Sequence, residues 1–173
     1  GTNTDGEASL VTFKNKFGAL NLKSVIVLGV GGAGKAVASY FSNCANSTTI
    51  ISRSNEGKEY ADKIGVKWGN WNDINSIVDN VDIVVNCTSI GFGGQEMESP
   101  LDENQMLNLK SSTIVFDIVY QPLKTKFLQI AEREGLAIFN GLEMNMEQAV
   151  LAYKYAAEPN KELDEIRKIM EGI

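Results

Sequence analysis

A chain of 173 residues with 43% hydrophobic and 22% charged side chains has the composition of one globular domain, long enough to bury roughly 70% of its unfolded surface. Its net charge of −6 disfavours a nucleic-acid partner, which needs a basic face. No apolar run approaches the ~20 residues of a membrane helix, and the polar N-terminus has no basic segment followed by an apolar one.

In chain order, DGEASLVTFKNKFG (5–18) reads as an entering helix with Asp5 at its start, either as its N-cap or as a catalytic group, or as both. SVIVLG (24–29) is the first strand, followed by a helix whose Ala33, Val37 and Phe41 share one face. STTIIS (47–52), GVKW (65–68) and DIVVN (82–86) are further strands, with Ile74, Ile77 and Val78 on a short helical face between the last two. STIVFDI (112–118) and LAIF (136–139) complete the strands, separated by a helix with Phe127, Ile130 and Ala131 inward and Gly135 as its cap. Leu142, Met146, Ala149 and Tyr153 mark a helix leading out; after Pro159 a short amphipathic helix carries Leu163, Ile166 and Met170 on one side.

Strands that are β-branched and almost continuously apolar suit a parallel sheet covered on both faces, and their alternation with helices indicates a doubly wound α/β fold. Six strands fill the Rossmann order 3-2-1-4-5-6. The chain then divides into an entering helix (1–20), a nucleotide-binding core (21–141) and C-terminal helices (142–173).

The stretch VIVLGVGGAGKAV places Gly29, Gly31 and Gly34 in G-x-G-x-x-G spacing between a strand and a helix. Gly29 permits a tight turn, Gly31 with Gly32 and Ala33 lets a pyrophosphate approach the helix amides, and Gly34 allows close helix–strand packing. An NAD site needs a carboxylate at the end of the second strand; here the strand ends Ser52-Arg53-Ser54, with Lys58 one turn on. Arg53 offers a planar fork to a 2′-phosphate, which favours NADP. Against it stand an ordinary solvated Arg53 and a Glu56 that turns inward as an NAD-type acid.

With no histidine, a Ser-His-Asp triad, a Cys–His pair and any histidine metal site are excluded, so acid–base work falls to Asp, Glu, Lys or Tyr and no metal is expected. Cys44 and Cys87 lie in no metal or redox motif and read as reduced core thiols, which suits the cytoplasm.

The motifs GTNTDG (1–6), LGVGGAGKAV (28–37), SRS (52–54), DIVVNCTSIG (82–91), DIVYQPLKTKFL (117–128) and GLEMNMEQA (141–149) together resemble the C-terminal, NADP-binding half of the shikimate dehydrogenase family. The resemblance implies reversible NADPH-dependent reduction of 3-dehydroshikimate to shikimate, a step toward chorismate and the aromatic amino acids. It implies that Asp5 pairs with a lysine to handle the hydroxyl proton, that Gln148 touches substrate, and that Met144 lies against the nicotinamide. Gly141 would bind the carboxamide, Asn86, Thr88 and Ser89 would run beneath the cofactor, Ile118 would also bind the cofactor, and Tyr120 would stand between cofactor and substrate. Read without the family, Met144 could be core, Gln148 a solvated helix residue and Tyr120 a packing residue. The family's N-terminal half, which carries the lysine, is not in this sequence, so residues 1–173 are expected to bind cofactor without turning over substrate. SRS in place of the family's commoner NRT, and Glu143 and Asn145 in GLEMN, leave shikimate against quinate open. A quinate/shikimate dehydrogenase using NAD and a stand-alone nucleotide-binding regulatory module are the competing readings.

Overall fold

Strands this rich in Val, Ile and Phe have no face to give to water, and the chain solves this by pairing them in register between two helical layers. In the computed structural model, which describes residues 3–157 and 160–172, β1 (Ser24–Leu28), β2 (Ser47–Ser52), β3 (Lys67–Asn70), β4 (Ile83–Asn86), β5 (Ile114–Asp117) and β6 (Ala137–Phe139) form one sheet. All five pairings are parallel, and the order is β3-β2-β1-β4-β5-β6, the Rossmann order expected.

Alternate residues feed opposite faces. Val25, Val27, Ile83, Val85 and Phe116 meet the apolar sides of α1 (Thr4–Phe17), α2 (Gly32–Ser42), α3 (Asn55–Ile64) and α7 (Leu142–Ala156). Ile26, Leu28, Val84 and Val115 meet α4 (Ile74–Ile77), α5 (Glu103–Leu107) and α6 (Lys126–Arg133). The remaining helix, α8 (Leu163–Glu171), packs on α7, with Ile166 fully buried. Among the described residues no helix is long and apolar enough to cross a membrane.

Several local expectations change. The N-cap of α1 is Asn3, whose Oδ1 accepts from the Asp5 N–H at 2.8 Å; Asp5 stands one step inside, in the first turn. The third strand begins at Lys67 rather than at 65, because Gly65 adopts a left-handed conformation (φ 72°) and closes α3. On α7 the apolar row Leu142, Met146, Ala149 and Tyr153 is exposed, and Met144, Glu147, Val150 and Leu151 face inward instead. The rotation follows from α7 packing on both α1 and α8, where Glu147 is held by a two-pronged ion pair with Arg167. Helix α5 was not read from the sequence, although Asp102 and Gln105 form a capping box at its start. Pro159, read as a helix break, lies outside the described residues.

The entering helix crosses α2 at Gly6, where an added Cβ would stand 2.6 Å from the Ala36 carbonyl oxygen and closer still to Cδ2 of Tyr40. Gly6→Ala is therefore expected to destabilise the fold by about 1–3 kcal/mol despite the better helix propensity of alanine, because backbone must move to make room. Urea unfolding of the two proteins checks this.

Candidate functional site

In a parallel sheet of this order, ligands bind outside the carboxyl ends of the strands where the order reverses, between β1 and β4. The residues expected at a site converge there: Gly29 to Gly34 follow β1, Ser52 ends β2 with Arg53 and Ser54 after it, Asn86 ends β4 with Thr88 and Ser89 after it, Ile118 and Tyr120 follow β5, and Gly141 follows β6. A cavity of about 220 Å³ opens among Gly29, Ser52, Arg53, Ser54, Thr88 and Ser89, with Val30, Trp71, Ile90 and Gln95 completing its wall. A second cavity, of about 300 Å³, is lined by Thr88, Ser89, Phe92, Ile118, Val119, Tyr120 and Gln121. Thr88 and Ser89 line both, so the two cavities lie side by side along the cleft at the strand ends and share a wall.

The glycine loop is shaped by close backbone approach. Gly29 has φ 96°, and an added Cβ would stand 2.9 Å from Thr88 Cγ2; a Cβ on Gly34 would collide with the Gly29 carbonyl. At Gly31 and Gly32 the same atom would meet nothing, so the first turn of α2, with Ala33, faces open space. Gly141 donates to the Val119 carbonyl at 3.1 Å, and its missing Cβ would overlap Ile118.

At the end of β2 the side chains sort differently from expectation. Ser52 is buried and its hydroxyl is engaged within the protein, donating to the Ser54 carbonyl at 3.0 Å and accepting from Trp68 Nε1 at 2.9 Å. Arg53 lies in the cavity wall, whereas Lys58 is exposed on α3 and outside it. Glu56 does not enter the cleft either: Lys35 of α2 takes its carboxylate in an ion pair.

Beneath the cleft Asp117 ends β5 fully buried. Its Oδ1 accepts from Asn86 Nδ2 at 3.0 Å and from the Val119 N–H at 3.1 Å, and its Oδ2 accepts from Thr125 Oγ1 at 2.6 Å. Asn86 in turn accepts from the Thr88 N–H and hydroxyl, so its side chain works inside the protein. Burial raises the Asp117 pKa to about 6, against the three hydrogen bonds that favour its charged form. Cys87 beside it is also buried; desolvation, with Asp117 and Asp5 nearby, pushes its thiol far up and keeps it neutral. Cys44 is a free, partly buried thiol that accepts from Lys14 at 3.2 Å.

Asp5 lies in the first turn of α1, next to the Gly6 that packs on α2. Among the described residues the side chains of Asp5, Tyr120 and Gln148 make no hydrogen bond, which leaves all three polar groups free to meet a ligand. Met144 is buried in the core beside Phe116 and Phe139, and neither cavity is lined by Asp5, Met144 or Gln148. Sequence reasoning missed Trp71 and Gln95 in the cavity wall and the Asp117 network. An acid at the end of the apolar strand IVFD was the available sign of the latter.

The fold and the cleft define a Rossmann-type dinucleotide-binding domain. The family described as shikimate/quinate 5-dehydrogenase matches residues 12–120. The chain belongs to that family. It is 34% identical over 154 residues to the shikimate dehydrogenase (NADP(+)) of Pyrococcus abyssi, covering 89% of this chain and 56% of that protein. To the enzyme of the same name from Alkaliphilus oremlandii it is 32% identical, over 98% of this chain and 63% of the other. Among solved structures, a shikimate dehydrogenase in complex with NADP+ superposes with a TM-score of 0.81 at 26% identity, covering all of this chain and 62% of that one. The chain thus spans about three fifths of the length of the relatives it matches.

The raised Asp117 carboxyl gives stability a defined pH dependence. Its folded value lies above the ordinary one of 3.8, so the native state keeps a proton that the unfolded chain releases. The contribution is present below about pH 4 and is lost as pH rises through about 6, on the order of 3 kcal/mol in all. Asp117→Asn is expected to flatten that slope between pH 4.5 and 7, read from urea midpoints at each pH.

Proposed function

We propose that this chain is the NADP-binding half of an NADP-dependent shikimate dehydrogenase, acting with a substrate-binding half in the reversible reduction of 3-dehydroshikimate to shikimate. The observation that carries the cofactor choice is the charge of the nucleotide cavity. Among the described residues Arg53 is the one charged side chain in its lining, and the nearby acid, Glu56, is taken up by Lys35. A 2′-phosphate would meet a planar fork of donors, whereas an unphosphorylated ribose would find no carboxylate to accept from its hydroxyls.

The residues fit the cofactor along its length. The open space at Gly31 and Gly32 lets a pyrophosphate reach the first turn of α2, whose N–H groups have no helical partner. Ser54 and Arg53 would hold the adenosine end, with Ser52 shaping the turn that carries them, and Lys58 would add positive charge nearby. Thr88 and Ser89, braced by Asn86, would support the middle. Ile118, Tyr120 and Gly141 would hold the nicotinamide end, with Met144 beneath it. Bound NADP supplies the hydride donor and acceptor.

The chain's own part in the chemistry is to hold and move a proton. Asp5, with a lysine from the other half, would exchange the proton of the reacting hydroxyl, while Tyr120 and Gln148 orient the substrate. That these three polar groups make no hydrogen bond among the described residues supports the assignment. The exposed apolar row Leu142, Met146 and Tyr153 supports α7, and the stretch 142–173 with it, as the face toward the substrate half, leaving 21–141 as the nucleotide core.

Calorimetric titration of residues 1–173 tests the cofactor reading. NADPH is expected to bind about tenfold tighter than NADH or more, and Arg53→Ala should erase most of the difference, since the 2′-phosphate loses its bidentate partner. Equal affinities in the wild-type chain overturn the choice of NADP.

Activity is expected only with both halves. Residues 1–173 should bind NADPH yet not oxidise shikimate or quinate, because no closed cleft positions the substrate, a contribution of up to ~7–11 kcal/mol. Joined to a lysine-bearing substrate half the chain should turn over, and Asp5→Asn there should slow kcat by ~10²-fold or more while leaving NADPH affinity unchanged. Robust shikimate oxidation by residues 1–173 alone would sink the two-half reading.

A further inference from the structure

The cavity wall contains an aromatic residue that no part of the cofactor assignment has used. Trp71 follows β3, and its place is set by sheet register: Ser52 pairs with Asn70, so the residues just past the two strands, Arg53 and Trp71, emerge side by side at the carboxyl ends. Asn70 secures the turn by accepting the Asn72 N–H at 2.9 Å, and the partly buried indole packs against the core of the α4–α6 face. The Arg53 guanidinium carbon stands over this ring, 5.1 Å from its centroid.

This contact differs in kind from an ion pair. Among the described residues Arg53 makes no ion pair and no hydrogen bond. An arginine fixed by a carboxylate gives up the donor edge of its fork to that partner. An arginine stacked on an indole is held through its face and keeps its N–H edge free. A guanidinium that is already placed also loses less conformational freedom when an anion arrives.

We propose that Trp71 is the positioning residue for cofactor choice: its indole face holds the Arg53 fork at the mouth of the nucleotide cavity, ready for the 2′-phosphate of NADP. This rests on the NADP reading above and extends it from one residue to a stacked pair. Trp71 acts through Arg53, and the two are coupled.

A double-mutant cycle tests it, with NADPH and NADH titrated into residues 1–173 carrying Trp71→Leu, Arg53→Ala, both substitutions or neither. Trp71→Leu is expected to weaken NADPH about three- to tenfold while NADH affinity stays within about twofold, which also reports that the site is still folded. Trp71→Phe should recover most of the loss, because a phenyl face still carries the cation. In the Arg53→Ala background the leucine should cost NADPH nothing further. An unchanged NADPH preference in Trp71→Leu overturns the inference and leaves the NADP reading standing. Equal weakening of both cofactors assigns Trp71 to packing alone, and an undiminished effect without Arg53 assigns it to direct ligand contact; either result overturns the coupling. A wild-type chain without NADPH preference overturns the NADP reading itself, and this inference with it.

Discussion

The cleft depends on one buried carboxylate. Asp117 lies where β4 and β5 end side by side, and its two oxygens draw in Asn86 from one strand, the backbone at Val119, and the hydroxyl of Thr125 at the start of α6. Through Asn86 the network extends to Thr88, the residue that walls both cavities. Removing a buried acid from water is costly, and the three donors offset only part of that cost, since burial still raises the carboxyl to about 6. Because the same three donors belong to three separate segments, satisfying the charge also sets the positions of the loops that follow β4 and β5. The geometry of the ligand-facing surface is thus a consequence of solvating one charge inside the protein.

A second constraint is the closeness of backbone at the other strand ends. Gly29, Gly34 and Gly141 each occupy a place where a side-chain carbon would strike a neighbouring loop. They bring β1, α2 and the β6 end close to the β4 and β5 ends, while Gly31 and Gly32 leave the front of α2 bare. Rigid close packing behind and open space in front is what a helix N-terminus needs to receive an anion. Away from the cleft, Asp82 serves a purely structural end. Burial opposes its charge, but the N–H and hydroxyl of Ser24 together with Lys110 overcome this and hold its carboxyl down to about 2, fastening the start of β1 to that of β4.

The six strands, their order, the glycine loop and the basic end of β2 were legible in the sequence because each is written in local pattern. Apolar β-branched runs, glycine spacing and a missing carboxylate need no knowledge of distant residues. The fate of individual polar groups was not legible. The Ser52 hydroxyl belongs to Trp68, Glu56 belongs to Lys35 and Glu147 belongs to Arg167, and each partner lies 16 or more residues away in the chain. The inward face of α7 was misread for a related reason: the burial of Glu147 is set by Arg167 on another helix, so an acidic residue faces in while methionine and tyrosine face out.

The sequence by itself therefore determined the fold, the family and the edge of the sheet on which a ligand would sit, since periodicity and glycine placement act over a few residues. Only the tertiary structure decided which charges remain free there. The parallel register of β2 and β3 puts Asn70 opposite Ser52 and so places Trp71 beside Arg53, and the contact of Tyr60 on α3 with Lys35 on α2 accompanies the pairing of Lys35 with Glu56. Partners of that kind depend on register between distant segments, and register is settled by the whole sheet at once.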